Sequence, residues 1–262
     1  MKKMFGKKMG ILLAGLVLVA GIAVGCKGKS SSKSEDSSKS ETAKVKTLSP
    51  KKVPAYLEVK DKEDGTWIVG YNASIIPENL TIPDGIVGIL GAYSPYNGVF
   101  YGCELLESVK IPGSVKTIGD FAFSGCTALE SVTIAKGLET IDSFAFSGCT
   151  SLASMTIPNG VKTIEQDAFN GCTALASITI PEGGVEIGYQ AFAGCTALES
   201  VTIAKDVSGI DYVAFKDCTS LKEVRYKNTI KRFKAIADKE AFEKGVVIHC
   251  TDGDYVFGSD AE

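Results

Sequence analysis

The sequence predicts an α/β solenoid, a coil of short repeated units with a parallel β-sheet on its concave face. Two observations carry this prediction. Cysteine recurs at an unvarying step of 23 residues, and phenylalanine keeps the same step three residues ahead of each cysteine. A fixed period between about 20 and 50 residues indicates a solenoid or another repeat array. The positions are Cys103, Cys126, Cys149, Cys172, Cys195 and Cys218, with Phe100, Phe123, Phe146, Phe169, Phe192 and Phe215.

Each unit contains a strand pattern. Residues 122–137 follow the consensus Ala-Phe-x-Gly-Cys-Thr-x-Leu-x-Ser-Val-x-Ile-Pro-x-x and depart from it only at Ala135. Because side chains alternate across a strand, we expect Val132 and Ile134 to point into the core and their neighbours to point out of it. Parallel strands of successive units would then lie about 4.8 Å apart.

The rest of each unit is apolar and returns the chain to the next strand. Residues 115–123 carry Val, Ile, Ala and Phe that are expected to face inward, and we expect a short helical or irregular convex segment there. The glycine before each cysteine is expected to adopt a positive φ, and Asp217 takes that place in the sixth unit. Ordering a unit costs about 1.5 kcal/mol of conformational entropy for each of its residues, and the total exceeds the stabilisation that burial of its apolar side chains supplies. The units must therefore stack, and the two ends of the stack need caps.

The repeat is similar to a known family. Leu129, Val132 and Ile134 reproduce the L-x-x-L-x-L spacing of a leucine-rich repeat, and the Ala-Phe-x-Gly-Cys segment resembles the BspA-like bacterial subclass. The resemblance is strong over residues 82–226 and weaker on both flanks. It implies a surface protein, because members of the BspA-like group are associated with attachment to host or neighbouring-cell proteins.

The first 25 residues have the pattern of a bacterial lipoprotein signal. Four lysines lie within residues 1–9, and residues 10–25 are uncharged and apolar. The segment ends in Ala23-Val24-Gly25-Cys26, which resembles a lipobox, where cleavage leaves the cysteine as the lipid-bearing first residue. We therefore predict lipidation at Cys26 and a lipid-anchored, exported protein at the bacterial cell surface or envelope. An ordinary cleaved signal or an uncleaved anchor is the alternative.

The remainder of the chain divides into four segments. Residues 26–54 are rich in Ser and Lys and nearly free of large apolar side chains, which predicts a disordered tether. Residues 55–81 alternate in hydrophobicity around Asp64-Gly65, which predicts a β-hairpin that caps the first unit. The solenoid is assigned to residues 82–226. The C-terminal cap is assigned to residues 227–262, which begin with helical spacing and continue with a strand-like Val-Val-Ile.

The repeated cysteines raise the question of zinc or disulfides. Zinc is disfavoured because no C-x-x-C pair occurs and a column with one ligand per unit cannot surround one ion. Disulfides are disfavoured because the Cβ vectors of such a column run side by side and pairing would make the units unequal. We predict a buried ladder of small, apolar, unpaired cysteine side chains, with no metal and no cofactor.

Composition and motifs argue against an enzyme and against a nucleic-acid partner. The only histidine, His249, lies in the predicted C-terminal cap, so no Ser/His/Asp or Cys/His set can form within the repeats. No glycine-rich phosphate loop follows a strand. Of 28 basic residues, four lysines belong to the predicted signal, which leaves 24 against 31 acidic residues and a net charge of −7. The repeats contain no basic stripe that would bind nucleic acid.

The outward surface of the predicted strands is the candidate binding face. Its middle is rich in Ser and Thr, and its last unit is charged. A regular, pre-formed sheet surface suits an extended protein or glycan partner, although Ser and Thr are also ordinary residues of soluble strands. The candidate residues are Ser131, Thr133, Ser154, Thr156, Ser177, Thr179, Ser200, Thr202, Lys222 and Arg225.

These inferences combine in one functional hypothesis. We expect a lipoprotein whose leucine-rich repeat solenoid binds an extracellular protein, of a host or of a bacterial surface, and mediates adhesion. A structural spacer or passive envelope component without a ligand is the main alternative. A glycan-binding module is a further alternative, which the lack of an aromatic row on the strands disfavours. The sequence does not indicate the ligand or the oligomeric state.

Overall fold

The computed structural model describes residues 53–91 and 98–259, which lie in one compact unit. The chain winds there as a parallel solenoid, so the predicted fold class is confirmed. Among these residues the one α-helix is α1 (Ile230–Ile236). The strands are β1 (Leu57–Lys62), β2 (Gly65–Tyr71), β3 (Asn79–Thr81), β4 (Ile86–Ile89), β5 (Ser108–Ile111), β6 (Thr117–Ile118), β7 (Ser131–Ile134), β8 (Thr140–Ile141), β9 (Ser154–Met155), β10 (Thr163–Ile164), β11 (Ser177–Ile180), β12 (Glu186–Ile187), β13 (Ser200–Ile203), β14 (Gly209–Ile210), β15 (Glu223–Tyr226), β16 (Val247–Cys250) and β17 (Gly253–Val256).

One strand per turn builds the surface expected from the Leu-x-Ser-Val-x-Ile pattern. These strands form two sheets, in the orders β3-β5-β7-β9 and β11-β13-β15-β16-β17. The register follows the 23-residue period: Ser108 on β5 lies opposite Ser131 on β7, and Ser177 on β11 lies opposite Ser200 on β13. The inward residues of β7 are buried, as predicted. We name the outward surface of these two sheets the strand face.

An eight-stranded sheet, called the second sheet from here on, takes up two residues of the expected segment in each unit, and the rest of the segment is irregular turn. Eight strands form it in the order β1-β2-β4-β6-β8-β10-β12-β14. Thr117, Thr140 and Thr163 lie in register along it, and the isoleucine that follows each of them is buried. Of the two expected forms, the irregular one is therefore present in the described repeats outside these strands, and the helical one is not. Thr and Ile are both β-branched, which favours extended backbone over helix at these positions.

The strand face is interrupted once, between β9 and β11. The strand β9 holds two residues, pairs with β7 and forms no ladder with β11. Met155 is the one unbranched residue at a position that is Val or Ile in the other units from Val109 to Val224. A β-branched side chain favours extended backbone, so its absence weakens the strand here. Unbroken strand pairing was therefore a wrong expectation at this interface, where the second sheet continues from β10 to β12.

The core contains a column of stacked aromatic rings. Successive phenylalanines from Phe100 to Phe215 stack with ring centroids 5.0 to 5.3 Å apart, and all of these rings are fully buried. Tyr71 extends the column at one end, 5.3 Å from Phe100, and Phe242 extends it at the other, 4.7 Å from Phe215. Aromatic pairs of this kind contribute about 0.5–1.5 kcal/mol beyond their buried area. The column therefore holds each turn in register with the next.

The cysteines form a second buried column, as predicted. All seven described cysteines are unpaired, and the six from Cys103 to Cys218 are buried. From Cys126 onward, each of these thiols donates a hydrogen bond of 3.0 to 3.3 Å to the phenylalanine carbonyl 26 residues earlier. The amide of Cys126 donates to the carbonyl of Phe123 at 3.2 Å, and the Cys149 thiol donates to that same carbonyl at 3.1 Å. The thiols thus join adjacent turns as polar donors, a role that the sequence did not suggest.

In each regular turn of the solenoid, two residues with left-handed backbone conformation reverse the direction of the chain. The glycines before the cysteines have φ between 63° and 71°, and Asp217 has φ of 58°, as predicted. Four residues earlier, a non-glycine residue adopts the same conformation with φ between 49° and 58°. Such backbone costs about 1–3 kcal/mol and persists only where the surroundings over-determine it. These second positions are Phe121, Phe144, Asp167, Gln190 and Val213.

The N-terminal hairpin extends the second sheet. The strands β1 and β2 pair antiparallel, with Lys62 opposite Gly65, and β2 pairs with β4 in parallel. The ring of Trp67 packs over Gly88, where an added Cβ would lie 2.3 Å from the Trp67 Cζ3 atom. The Lys62 ammonium lies 4.2 Å from the centre of that ring. The hairpin is thus present where the sequence predicted it, and its role as a cap stays a prediction.

Stacking continues beyond the last regular unit. The strand β16 pairs in parallel with β15, and β17 folds back antiparallel onto β16. Thr229 caps the helix by accepting a hydrogen bond from the Arg232 amide. The helix ends after Ile236, where Ala237 forms a bridge with Ile210 instead. Loss of the 23-residue period after Tyr226 therefore does not end the contacts between turns.

Candidate functional site

The predicted binding residues lie on the strand face in rows, because the turns are in register. Each outward side chain is exposed or partly exposed, and the residues between them are buried. The interruption after β9 divides the rows into two parts, and Thr156 lies just beyond the end of that strand. The first row is Ser131, Ser154, Ser177 and Ser200, and the second is Thr133, Thr156, Thr179 and Thr202.

The two charged candidates lie at the C-terminal end of the strand face. Arg225 is opposite Thr202 and continues the threonine row. Lys222 lies before β15, and its Nζ donates to the Thr219 carbonyl over 3.4 Å. Lys222 ends a third exposed row that also includes Glu107 and four intervening residues, two of them alanines. Such a mixed row does not form a paired-carboxylate site.

The charged end of the strand face is larger than the sequence suggested. Pairing of β16 with β15 places His249 opposite Arg225, and β17 places Asp254 opposite His249. The Nδ1 atom of His249 lies 2.8 Å from an Asp254 carboxylate oxygen, and its Nε2 atom lies 3.5 Å from Glu223. Arg225 lies 3.5 Å from the other oxygen of Glu223. The strand-like Val246-Val247-Ile248 was the signal that could have placed His249 here.

The contacts of His249 favour its positive form. The hydrogen bond with Asp254 raises the pKa of His249 above its usual value, desolvation opposes this, and Glu223 adds a smaller favourable effect. Both ring nitrogens face carboxylates, so neither is directed at a hydroxyl or thiol nucleophile. The cluster therefore places groups of opposite charge next to each other at the surface and does not form a nucleophile and base pair.

The predictions on lipidation, metal binding and membrane anchoring concern features other than the strand face. Cys26, the predicted signal and most of the predicted tether lie outside the described residues, so lipidation stays a prediction. Within residues 53–91 and 98–259, no three His, Cys, Asp or Glu side chains are grouped so that they could hold a metal ion. The same part of the chain contains no helix of sufficient length and hydrophobicity to cross a membrane.

The repeat region matches a family profile described as BspA type leucine rich repeat region. The profile matches in six copies, over residues 95–222 and 139–244, which together span more than half of the chain. The chain belongs to this family. The second match extends past Tyr226 and includes Phe242, in agreement with the aromatic column that continues to that ring.

Solved structures of other leucine-rich repeat proteins resemble this BspA-type chain. A leucine-rich repeat protein of T. pallidum, TpLRR, is 30% identical with a TM-score of 0.56, and the match covers 68% of this chain and 81% of that one. The pneumococcal vaccine antigen PcpA is 26% identical with a TM-score of 0.52, and the match covers 62% of this chain. That match spans 41% of PcpA, less than half of its length. No curated protein matches the chain at a significant level.

Proposed function

We propose that this BspA-type repeat protein is a bacterial surface lipoprotein whose strand face binds an extracellular protein and mediates adhesion. The observation that carries the proposal is the strand face itself, two rows of exposed hydroxyls across two parallel sheets with a charged end. Membership of a repeat family and the likeness to PcpA, which is named as a vaccine antigen, both favour a surface protein. The sequence around Cys26 supplies the support for a lipid anchor.

The physical properties of the strand face suit an extended partner. Its backbone groups are paired within sheets, so few residues need to become ordered when a partner binds. Hydroxyls of residues such as Thr179 and Thr202 can donate and accept hydrogen bonds. The charges of Glu223, Arg225 and His249 at one end would fix the direction in which a partner lies, because complementary charges determine register more than affinity.

The test combines capture with a matched pair of variants. The full chain is immobilised, exposed to host-matrix and bacterial-surface extracts, and any captured protein is purified and titrated. The first variant carries Thr156→Glu and Thr179→Glu on the strand face. The control carries Thr117→Glu and Thr163→Glu on the second sheet, with the same residue types and charge change. We expect saturable binding that weakens at least tenfold, about 1.4 kcal/mol, in the first variant only.

Other outcomes distinguish the alternatives. Equal binding by both variants would show that the strand face is not the site. Absence of any saturable protein ligand at high chain concentration would favour the structural spacer. Binding lost in both variants would indicate a general effect of added negative charge.

A further inference from the structure

A cleft of about 780 Å³ lies between the last regular turn and the C-terminal segment. Buried rings of Phe233, Phe242 and Phe257 form part of its wall, and Tyr212 and Tyr255 add two further rings. Its volume is within the range of about 300–1,000 Å³ that is typical of pockets for small ligands. No candidate residue of the strand face lines this cleft, so it is a separate site.

One aromatic residue of the cleft, Tyr212, is partly exposed. Tyr212 stacks on Tyr189, with ring centroids 6.0 Å apart and planes 10° apart, so one face of its ring is covered. Tyr212 is 41% exposed and lines the cleft. In the next turn Ala237 bridges Ile210 and the Asp238 amide donates to the Ile210 carbonyl, so Lys239, and not a third ring, follows Tyr212 in register. The aromatic pair therefore ends at Tyr212, beside a lysine of the cleft.

Charged groups of both signs surround these rings. Three acidic residues line the cleft, and each one already accepts a hydrogen bond. Asp238 accepts from the Glu240 amide at 2.9 Å, Glu243 accepts from the Asp217 amide at 3.2 Å, and Glu240 is bonded to the Tyr212 hydroxyl.

The basic residues of the cleft are more numerous. Four lysines line it, and Lys234 lies over the ring of Tyr255 with its ammonium 4.3 Å from the ring centre. Lys216 and Lys239 make no ion pair within residues 53–91 and 98–259. The remaining lysine, Lys244, packs its side chain near Gly258. The cleft therefore has ammonium groups that are available to an anion.

This combination selects one ligand class. An exposed aromatic face packs well on the C–H face of a sugar ring, and carboxylates beside ammonium groups provide both acceptors and donors for hydroxyls. A lysine that lacks a partner suits a carboxylate on the ligand. A purely acidic peptide offers neither hydroxyl groups for these donors and acceptors nor a sugar C–H face for the ring of Tyr212. We propose that the cleft binds a short acidic saccharide that carries a uronic acid.

The test is calorimetric titration of the full chain with tetrasaccharides from hyaluronan, polygalacturonate and alginate. Cellotetraose serves as the neutral control, and a tetra-aspartate peptide serves as the anionic control without sugar. We expect at least one uronate tetrasaccharide to bind at least tenfold more tightly than either control. If none of the three binds with a Kd below 1 mM, or if the peptide binds as tightly, the proposal is wrong.

Variants then assign binding to the cleft. Tyr212→Ala and Lys239→Glu should each weaken binding at least tenfold. Tyr212→Phe should preserve it, because the ring remains and only the bond to Glu240 is lost. Lys205→Glu makes the same charge change at an exposed position outside the cleft and should have no effect. If Lys239→Glu binds the saccharide as tightly as the unaltered chain does, the lysines of the cleft are not part of a saccharide site. Thermal unfolding of each variant confirms that it is folded. Protein binding by the strand face should be unchanged in these variants, so saccharide binding by the cleft and protein binding by the strand face can fail separately.

Discussion

At the scale of single residues, the thiol column illustrates what spacing can and cannot predict. A constant step of 23 places each of the six cysteines from Cys103 to Cys218 at the same point of its turn, so burial of one implies burial of all six. The step does not specify how far one turn is rotated against the next. That rotation directs the Cys172 thiol to the Phe146 carbonyl, 3.2 Å away, so the hydrogen bond could not be predicted from sequence.

The thiols lead to a prediction about reactivity. Burial raises the pKa of Cys149 to about 12 and that of the half-buried Cys250 to about 11. Because the thiolate is the reactive form, a thiol reagent at pH 8 should react slowly with Cys250 and not with the buried column. A Cys250→Ser variant should lose that slow phase. Rapid reaction of several thiols in the folded chain would contradict the buried column.

The same reagent counts thiols after denaturation without reductant, and this count bears on the anchor. The chain has eight cysteines, seven of which are described and unpaired. We expect seven reactive thiols if Cys26 carries a lipid and eight if it does not. A count near one would show that the column is oxidised to disulfides.

A second prediction at residue scale concerns Asp142 and follows from its partly buried position. Burial raises the pKa of Asp142 from 3.8 to about 6, and the nearby carboxylates of Asp120 and Glu165 add to this effect. A raised folded-state pKa gives stability that is complete below pH 3.8 and is lost as the pH rises through about 6. Ionised Asp142 therefore destabilises the fold at neutral pH.

Replacement of this carboxyl by an amide should remove the effect. We expect Asp142→Asn to raise the free energy of unfolding by about 1–2 kcal/mol at pH 7.5 and to have little effect at pH 4. Urea unfolding of both chains at the two pH values measures this difference. An equal effect at both pH values would indicate that packing, and not charge, dominates at Asp142.

At the scale of elements, the strands that could be predicted are those that alternate over four residues. The side chains of the Ser-Val-Thr-Ile segment in β7 alternate twice between the exposed and the buried side, and this alternation identifies a half-buried strand. The strands of the second sheet, such as Thr140–Ile141, contain two residues and give no alternation. The interruption at Met155 depends on one side chain in an otherwise matching unit. His249 and Asp254, which enlarge the charged end of the strand face, were missed because β16 joins the sheet after the sequence period is lost.

The His249 cluster leads to a prediction at this scale. Because its folded-state pKa is raised, protonated His249 stabilises the β16–β17 hairpin fully below the unfolded pKa of 6.5, and this contribution is lost as the pH rises through the higher folded value. His249 is the only histidine, so its ring proton resonance is unique in the NMR spectrum.

Titration of that resonance measures the pKa directly. We expect a midpoint above 6.5 in the unaltered chain and a lower midpoint in Asp254→Asn, because the largest favourable contact is removed. Asp252→Asn is the matched control, since Asp252 bonds the Ile230 amide and not the imidazole. A midpoint that Asp254→Asn leaves unchanged would show that the bond does not form in solution.

At the scale of the whole molecule, stability is a sum of contacts between neighbouring turns, because in a solenoid each turn contacts only the turns beside it. Most interfaces combine strand pairing, ring stacking and the second sheet. The interface between β9 and β11 lacks strand pairing and depends on the second sheet, the Cys172 thiol bond and the stack of Phe146 on Phe169, 5.3 Å apart. This interface should therefore be the least stable one between the regular turns.

The weak interface should become visible when its ring stack is removed. Phe169→Ala should destabilise the chain by about 3–5 kcal/mol, as for a buried aromatic truncation, and should separate unfolding into two steps. Phe123→Ala removes an equally buried ring from a part of the column where the strands on both sides are paired, and it should retain a single transition. Hydrogen exchange measured by mass spectrometry would show whether residues before β9 and after β11 then open separately. Two-step unfolding in both variants, or in neither, would place the weakest interface elsewhere in the solenoid.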